Sequence, residues 1–231
     1  ARLSRLVGGP VQVVWTRDDD MRHDYYRQAS HHSLRGALDA QGQVLLYAHR
    51  AVLAVTGGDL LGGGGEGESE AGALSPAQQQ PPYQLPQASV EQATVAVPVP
   101  TGAWRSVTNT QYTFANEVFL DELATSAGRD SVEFRRQYLT NARLRAVFEL
   151  AVERSGWGEP LPPGHGRGVA CFQGYGSYAA HVVQLAVSPA GQVRVTRVTC
   201  AVDVGLAVNP RTVEAQMQGG AVDGLSTALK A

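Results

Sequence analysis

Continuous apolar, β-branched runs and segments with apolar positions at helical spacing fall in separate blocks along this chain. "VQVVWTR" (11–17) predicts a buried strand, with Asp18, Asp19 and Asp20 as a solvated turn behind it. "HSLRGALDAQGQVLLYAHRAVLAV" (32–55) predicts two strands joined at DAQG, with Gly42 in the turn. Phe114, Val118 and Leu123 predict a helix that ends near Gly128. Asp130 is placed to cap a second helix, with Glu133 three residues on and Phe134, Tyr138 and Leu139 on its apolar side. Leu144, Val147, Phe148 and Ala151 predict a third helix that stops at Gly156. "HVVQLAVSPAGQVRVTRVTCAV" (181–202) predicts a strand pair turning at SPAG, and Asn209-Pro210 opens a further helix. Hairpins and helices in separate blocks make the fold class α+β.

Between these blocks, residues 56–82 change in composition, being rich in Gly, Gln, Glu and Pro with little to bury. They predict a flexible excursion. This divides the chain into 1–55, a strand and hairpin segment, 56–82, the excursion, and 83–231, a helix block followed by a hairpin and a last helix. "ARLSRLVGGP" opens on the final turns of an amphipathic helix, with Leu3, Leu6 and Val7 on one side and Gly8 to end it. "GAVDGLSTALKA" stops in mid-pattern, so a piece of a longer polypeptide is expected.

The 231 residues are 43% apolar, enough for a packed core, and the formal charge of −2 gives no reason to expect a nucleic-acid partner. Cys171 and Cys200 are too few to hold an iron–sulfur cluster or a structural zinc; they are free to pair or to be buried as small hydrophobes. The six histidines form no H-x-x-x-H pair, and His31 and His32 point to opposite faces of a strand, so no metal ligands are assigned. No G-x-S-x-G elbow supports a hydrolytic triad. In "VPTGAWRSV" (99–107) a Pro–Thr–Gly turn delivers Trp104 and Arg105 side by side. An Arg fork can grip an anion or a polarised oxygen and a Trp can wall a pocket, but a surface stack of the two, or a buried Trp beside a solvated Arg, is the more ordinary outcome.

Four blocks carry a resemblance: "VQVVWTRDDDMRHDYYRQ", "VPTGAWRSV", "FLDELATSAGRDSVEFRRQYL" and "CAVDVGLAVNPRTVEAQMQGGAVDGLS". In this order they resemble the molybdenum-binding subunit of the xanthine dehydrogenase family, in the branch of isoquinoline 1-oxidoreductase and of nicotinate and aldehyde dehydrogenases. The resemblance implies a molybdopterin-binding fold, incomplete at both ends. It also implies hydroxylation of an electrophilic carbon in an N-heterocycle or aldehyde, with oxygen from water, at a molybdenum–pterin cofactor.

"GAWRSV" resembles the family's Phe-Arg-Gly-Phe-Gly segment. Arg105 would then be the catalytic cation that steadies negative charge on a ring nitrogen or carbonyl oxygen, with Trp104 behind it or lining the substrate pocket. Ser106 and Val107 depart from the Gly-Phe-Gly half of that pattern. "VDVGLAVNPRTVEAQMQGG" resembles the Asp-x-Gly…Asn-Pro…Gln-x-x-Gly segment, which implies that Gln216 hydrogen-bonds the pterin. An exposed helix glutamine is the alternative. "GYGSYAA" (174–180) resembles a glycine-containing loop near the metal, where Gly176 and Ser177 would present backbone N–H groups; a plain turn into a strand is the alternative.

The family's Gly-Gly-Gly-Phe-Gly and Met-Gly-Gln-Gly segments do not occur in these residues and are expected upstream of Ala1, and the family's Gly-Glu motif with the general base is expected beyond Ala231. The 231-residue chain alone is therefore expected to be inactive and to work with the remaining parts of the molybdenum subunit. The resemblance further implies a small partner subunit with [2Fe–2S] clusters and a cytochrome c as one terminal acceptor. It makes the cytosine dinucleotide one form of the pterin, and the periplasm or the cytoplasm the location. Two other classes stay open: a non-catalytic scaffold or split subunit of such a complex, and an unrelated small-ligand module.

Overall fold

The computed structural model describes residues 2–56 and 79–230. A first sheet holds Ser30–Leu38 (β1), Val44–Thr56 (β2) and Ala88–Val97 (β3), in the order β1-β2-β3. β1 and β2 are the expected antiparallel hairpin, and Gly42 takes φ +73° in its turn, where Asp39 Oδ1 accepts from the Gln41 and Gln43 amides. Along β2 every second side chain from Tyr47 to Val55 is buried, the alternation of a sheet with one covered face. β3 pairs parallel to β2, a strand the sequence patterns do not single out.

The helices follow as Asn109–Ser126 (α3), Ser131–Tyr138 (α4) and Ala142–Ser155 (α5), after two short ones at Arg2–Val7 (α1) and Arg17–His23 (α2). Their ends are set locally. Asp130 accepts from the Val132 and Glu133 amides, Asn141 from those of Arg143 and Leu144, and Gly156 closes α5 at φ +69°. Leu144, Val147, Phe148 and Ala151 are all buried, as their spacing predicts. In α3 the buried face is instead Tyr112, Ala115, Asn116, Leu120 and Leu123, with Phe114 70% exposed.

A second, antiparallel sheet joins His165–Gly174 (β4), Ser177–Val187 (β5) and Val193–Asp203 (β6), with α5 packed across all three strands. α3 reaches both β1 and β4, so one continuous core runs from Tyr47 through Leu120 and Phe148 to Val182. Pro210–Lys230 (α6) buries no side chain among the described residues.

Two expectations change. Residues 10–16 form no strand, and Val13, Val14 and Trp15 are 63%, 74% and 55% exposed. A β-branched run becomes a strand only where an edge pairs with it, and no edge does so here. Asp18–Asp20 are the first turn of α2, entered through a capping box in which Thr16 Oγ1 accepts from the Asp19 amide and Asp19 Oδ2 accepts from the Thr16 amide. Most of the Gly/Gln-rich excursion lies outside the described residues, but Gln79 and Pro81 at its end are buried. Gln79 donates to Thr108 Oγ1 at 2.6 Å, tying this stretch to the turn before α3. Cys171 and Cys200 are both free thiols.

Beneath the first sheet the covered face carries a polar chain whose protons can be assigned. Asn116 Oδ1 accepts from the Tyr47 hydroxyl (2.6 Å) and faces His49 Nδ1 (2.8 Å), so His49 Nδ1 bears hydrogen. Neutral His49 then accepts at Nε2 from His32 Nδ1 (2.8 Å), and neutral His32 accepts at Nε2 from Ser30 Oγ (2.9 Å). Burial holds both imidazoles below the ordinary histidine range, His32 down to about 4 with the His49 charge as a further cause. The unfolded chain therefore binds protons that the folded chain refuses, and the stabilisation present at neutral pH is lost as pH falls from the ordinary histidine range toward about 4. Thermal denaturation from about pH 7 down to about pH 5 should give a falling midpoint, and His32→Asn should flatten that slope.

Candidate functional site

The bridge between Tyr26 and Thr101 lays residues 25–28 beside 100–102. Tyr26 N donates to Pro100 O (2.9 Å) and Gly102 N to Tyr26 O (3.0 Å). A Cβ on Gly102 would lie 2.9 Å from that of Tyr25, so the approach requires glycine. Beyond it the chain turns sharply: Val107 N donates to Trp104 O at 2.7 Å, with Ser106 at φ +62° and Val107 at +53°. Left-handed backbone costs a non-glycine residue roughly 1–2 kcal/mol, and Val is branched at Cβ as well. The turn departs from the family's glycine pattern at Ser106 and keeps the conformation a glycine would favour.

That turn sends Arg105 to α6. Arg105 Nη2 donates to Gln216 O at 3.0 Å and to Gln216 Oε1 at 3.2 Å, across 111 positions of sequence. Asn209 caps α6 by accepting from the Arg211 and Thr212 amides, which sets the helix end that carries Gln216. Ahead of the cap, Asp203 accepts from Gly205 N (2.8 Å) and from Arg143 Nε and Nη2 (2.8 and 2.6 Å). The hydrogen bonds from Arg143 hold its carboxyl down to about 2. Asp203 of the Asp-x-Gly motif thus shapes the connection into α6.

Arg105 and Gln216 line one cleft of about 420 Å³, walled by Phe172, Tyr175, Tyr178 and Met217. Ser177 lines it too. Gly176 sits beside it at φ +74° after Tyr175 at +51°, the two left-handed residues of a type I′ turn between β4 and β5. A Cβ on Gly174 would collide with the Phe172 ring, and Asn109 Nδ2 donates to the Tyr175 hydroxyl (3.1 Å), fixing the rim. Trp104 is not part of this cleft. It is 48% exposed and lines a separate depression with Met21, Tyr25, Tyr26 and Arg27, because the reversal that follows sends the adjacent side chains apart. His181 is a member that sequence reading missed. It lies in the middle of β5, faces the cleft, and is held below the ordinary histidine range by burial. Its signal was a lone polar residue between Ala180 and Val182 in an apolar strand.

The chemistry on offer is a fixed cation, an amide and a neutral imidazole at the mouth of an apolar cleft. Gln216 spends Oε1 on Arg105, and its Nε2 donates to no described residue, so the amide has a donor left for a ligand. Among the described residues Arg105 likewise spends Nη2 alone, leaving Nη1 and Nε. Two family models, both described as a molybdopterin cofactor-binding domain, match residues 1–139 and 105–230. The chain belongs to the molybdopterin cofactor-binding domain family. It is 30% identical to the beta subunit of isoquinoline 1-oxidoreductase from Brevundimonas diminuta over 99% of its own length and 30% of that protein's. It is 31% identical to a subunit of nicotinate dehydrogenase from Pseudomonas putida, over 99% of the chain and 21% of the relative. The chain thus spans less than a third of the length of these relatives. Quinoline 2-oxidoreductase from Pseudomonas putida 86 has a similar fold, with a TM-score of 0.58 and 22% identity over 84% of this chain and 29% of that one. The molybdopterin-binding fold expected from the four sequence blocks therefore stands.

In this family setting Gly220 becomes a residue with a purpose. A Cβ there would lie 3.3 Å from Arg105 Nη2, whereas one on Gly219 would meet Nη1 at an ordinary 3.9 Å. Gly220→Ala should strengthen α6 by about 0.5–1 kcal/mol and yet displace the guanidinium. The expected result is a smaller rise in thermal midpoint for Gly220→Ala than for Gly219→Ala, and equal rises would remove the role given to Gly220.

Proposed function

We propose that this chain is part of a molybdenum hydroxylase that oxidises an N-heterocycle or an aldehyde with oxygen from water and passes electrons to an iron–sulfur partner subunit. The observation that carries the reading is the meeting of Arg105 and Gln216 in one cleft. When bound, the molybdenum–pterin group supplies the redox chemistry. Gln216 holds that group through its free Nε2 and is itself held by Arg105. Arg105 presents its remaining N–H groups to an oxygen or ring nitrogen on which negative charge accumulates, an electrostatic role that needs no proton transfer. Phe172, Tyr175, Tyr178 and Met217 give a planar substrate an apolar wall and keep water from it. His181, neutral at physiological pH, offers one donor and one acceptor to the same space.

The finer assignments follow from the family reading: the cytosine dinucleotide form of the pterin, [2Fe–2S] clusters on a small partner subunit, and a cytochrome c as acceptor. The test is molybdenum and iron content of the natively purified complex that contains this chain. About one molybdenum per copy with iron beside it is expected. Intact complex without molybdenum would leave a scaffold and withdraw the roles of Arg105 and Gln216.

A further inference from the structure

We infer that Arg27 is a positioning residue for Arg105, its guanidinium fastening the left-handed turn at 106–107 so that Arg105 is delivered to Gln216. This rests on the function proposed for Arg105. Arg27 Nη1 donates to Val107 O at 2.7 Å and Nη2 to Arg105 O at 2.9 Å. The two carbonyls belong to residues on either side of Ser106, so one planar fork spans the reversal. A fork with fixed donor spacing selects one separation of the two oxygens, which a lysine ammonium does not do.

The turn needs such a restraint. Neither Ser106 nor Val107 is glycine, yet both are left-handed, and the turn's own backbone bonds are those from Val107 N to Trp104 O and from Asn109 N to Ser106 O. A branched residue in this region relaxes toward extended backbone unless its neighbours hold it. Arg27 is itself placed by the bridge between Tyr26 and Thr101, one residue before it. The order of dependence runs from that bridge through Arg27 to the turn, then to Arg105 and α6.

Arg105 bonds Gln216, and the charge of Arg27 is favoured by Asp223, seven residues and about two helical turns further along the same helix. Desolvation pulls the Arg27 guanidinium below its ordinary range, and Asp223 opposes that. Arg27 touches neither the cleft nor Gln216 in the structure, so its influence on the site passes through Arg105.

The test compares wild type, Arg27→Ala, Arg105→Ala and the double variant, each in the intact complex, by amide hydrogen exchange, metal content and steady-state kinetics. Arg27→Ala should raise exchange across 104–109 and lower kcat/KM, each by about tenfold, with molybdenum content unchanged. It should add nothing further in the Arg105→Ala background. Unchanged exchange at the turn, or a full additional loss in the double variant, overturns the inference. If Arg105→Ala alone keeps wild-type kinetics, the proposed function fails, while the exchange at 104–109 still decides whether Arg27 holds the turn. Should Arg27→Ala fail to assemble, Arg27→Lys carries the test. It keeps the charge but loses the second hydrogen bond, so exchange between those of wild type and an unfastened turn is expected, and wild-type exchange overturns the inference.

Discussion

On the function proposed above, Arg105→Ala is expected to lower kcat/KM of the complex by roughly a hundredfold per bound molybdenum. The magnitude follows from geometry and charge. Arg105 is held at one end by two contacts to Gln216, so its free N–H groups are fixed in advance and need no reorganisation as charge develops on the substrate. A cation so placed acts most strongly where water is excluded, and the apolar walls from Phe172 to Met217 favour that. Arg105→Lys should recover a minor part of the activity, since it returns the charge without the planar fork. Steady-state kinetics on complexes matched for molybdenum separate the two effects. Unchanged kcat/KM in Arg105→Ala at full molybdenum would remove Arg105 from the mechanism.

Arg135→Met should cost the fold about 3–5 kcal/mol. Arg135 is fully buried. Its Nε lies 3.1 Å from Glu117 Oε2, its Nη2 donates to Glu117 O at 2.8 Å, and its Nη1 reaches Asp121 Oδ1 at 2.5 Å and the Ser131 hydroxyl. Glu117 is also buried, accepting from the Tyr83 hydroxyl (2.9 Å) and the Cys171 amide (3.3 Å). Burial pushes the Glu117 carboxyl up, and the Arg135 charge is the main influence that draws it back. Without Arg135 the carboxylate is left uncompensated between α3, α4 and β4, the elements whose packing joins the two sheets.

The sign of the pH dependence then follows. In Arg135→Met the Glu117 carboxyl is raised further above its unfolded value, so the variant is best preserved at low pH and loses stability as pH rises through that raised value. Chemical denaturation should give a smaller deficit at about pH 5 than at about pH 8. Glu117→Gln in the same background should restore part of the loss, because a neutral amide replaces the stranded charge. A deficit that does not change with pH would mean that packing around the long side chain, and not the charge pair, is what Arg135 supplies.

Local physics was readable from the chain. Asp130 opens α4 and Gly156 closes α5 by interactions within a few residues, so these boundaries follow from spacing and caps alone. The hairpin at Gly42 and the turn at Ser188–Gly191 are equally local, as is Asn209 at the start of α6. The four family blocks identified the fold and brought Arg105 and Gln216 to notice before any geometry was known.

What the tertiary structure decided depends on partners distant in sequence. β3 is a strand because β2 offers a parallel edge, while residues 11–17, which look more like a strand, find no edge and stay exposed. Pleated backbone is stabilised by its neighbours, and a linear pattern does not name them. Trp104 and Arg105 are adjacent in sequence and face different depressions, because Ser106 and Val107 are left-handed without the glycines that would have announced it. His181 entered the cleft through the position of β5, and Arg27 reached the turn through a single bridge at Tyr26. The sequence by itself determined α3 to α6, the turns at Gly42 and Ser188–Gly191 and the family to which the chain belongs, but not α2, whose acidic first turn reads as a solvated turn. Only the assembled fold decided which side chains share the cleft, since hydrogen bonds across 111 positions depend on how every intervening element packs.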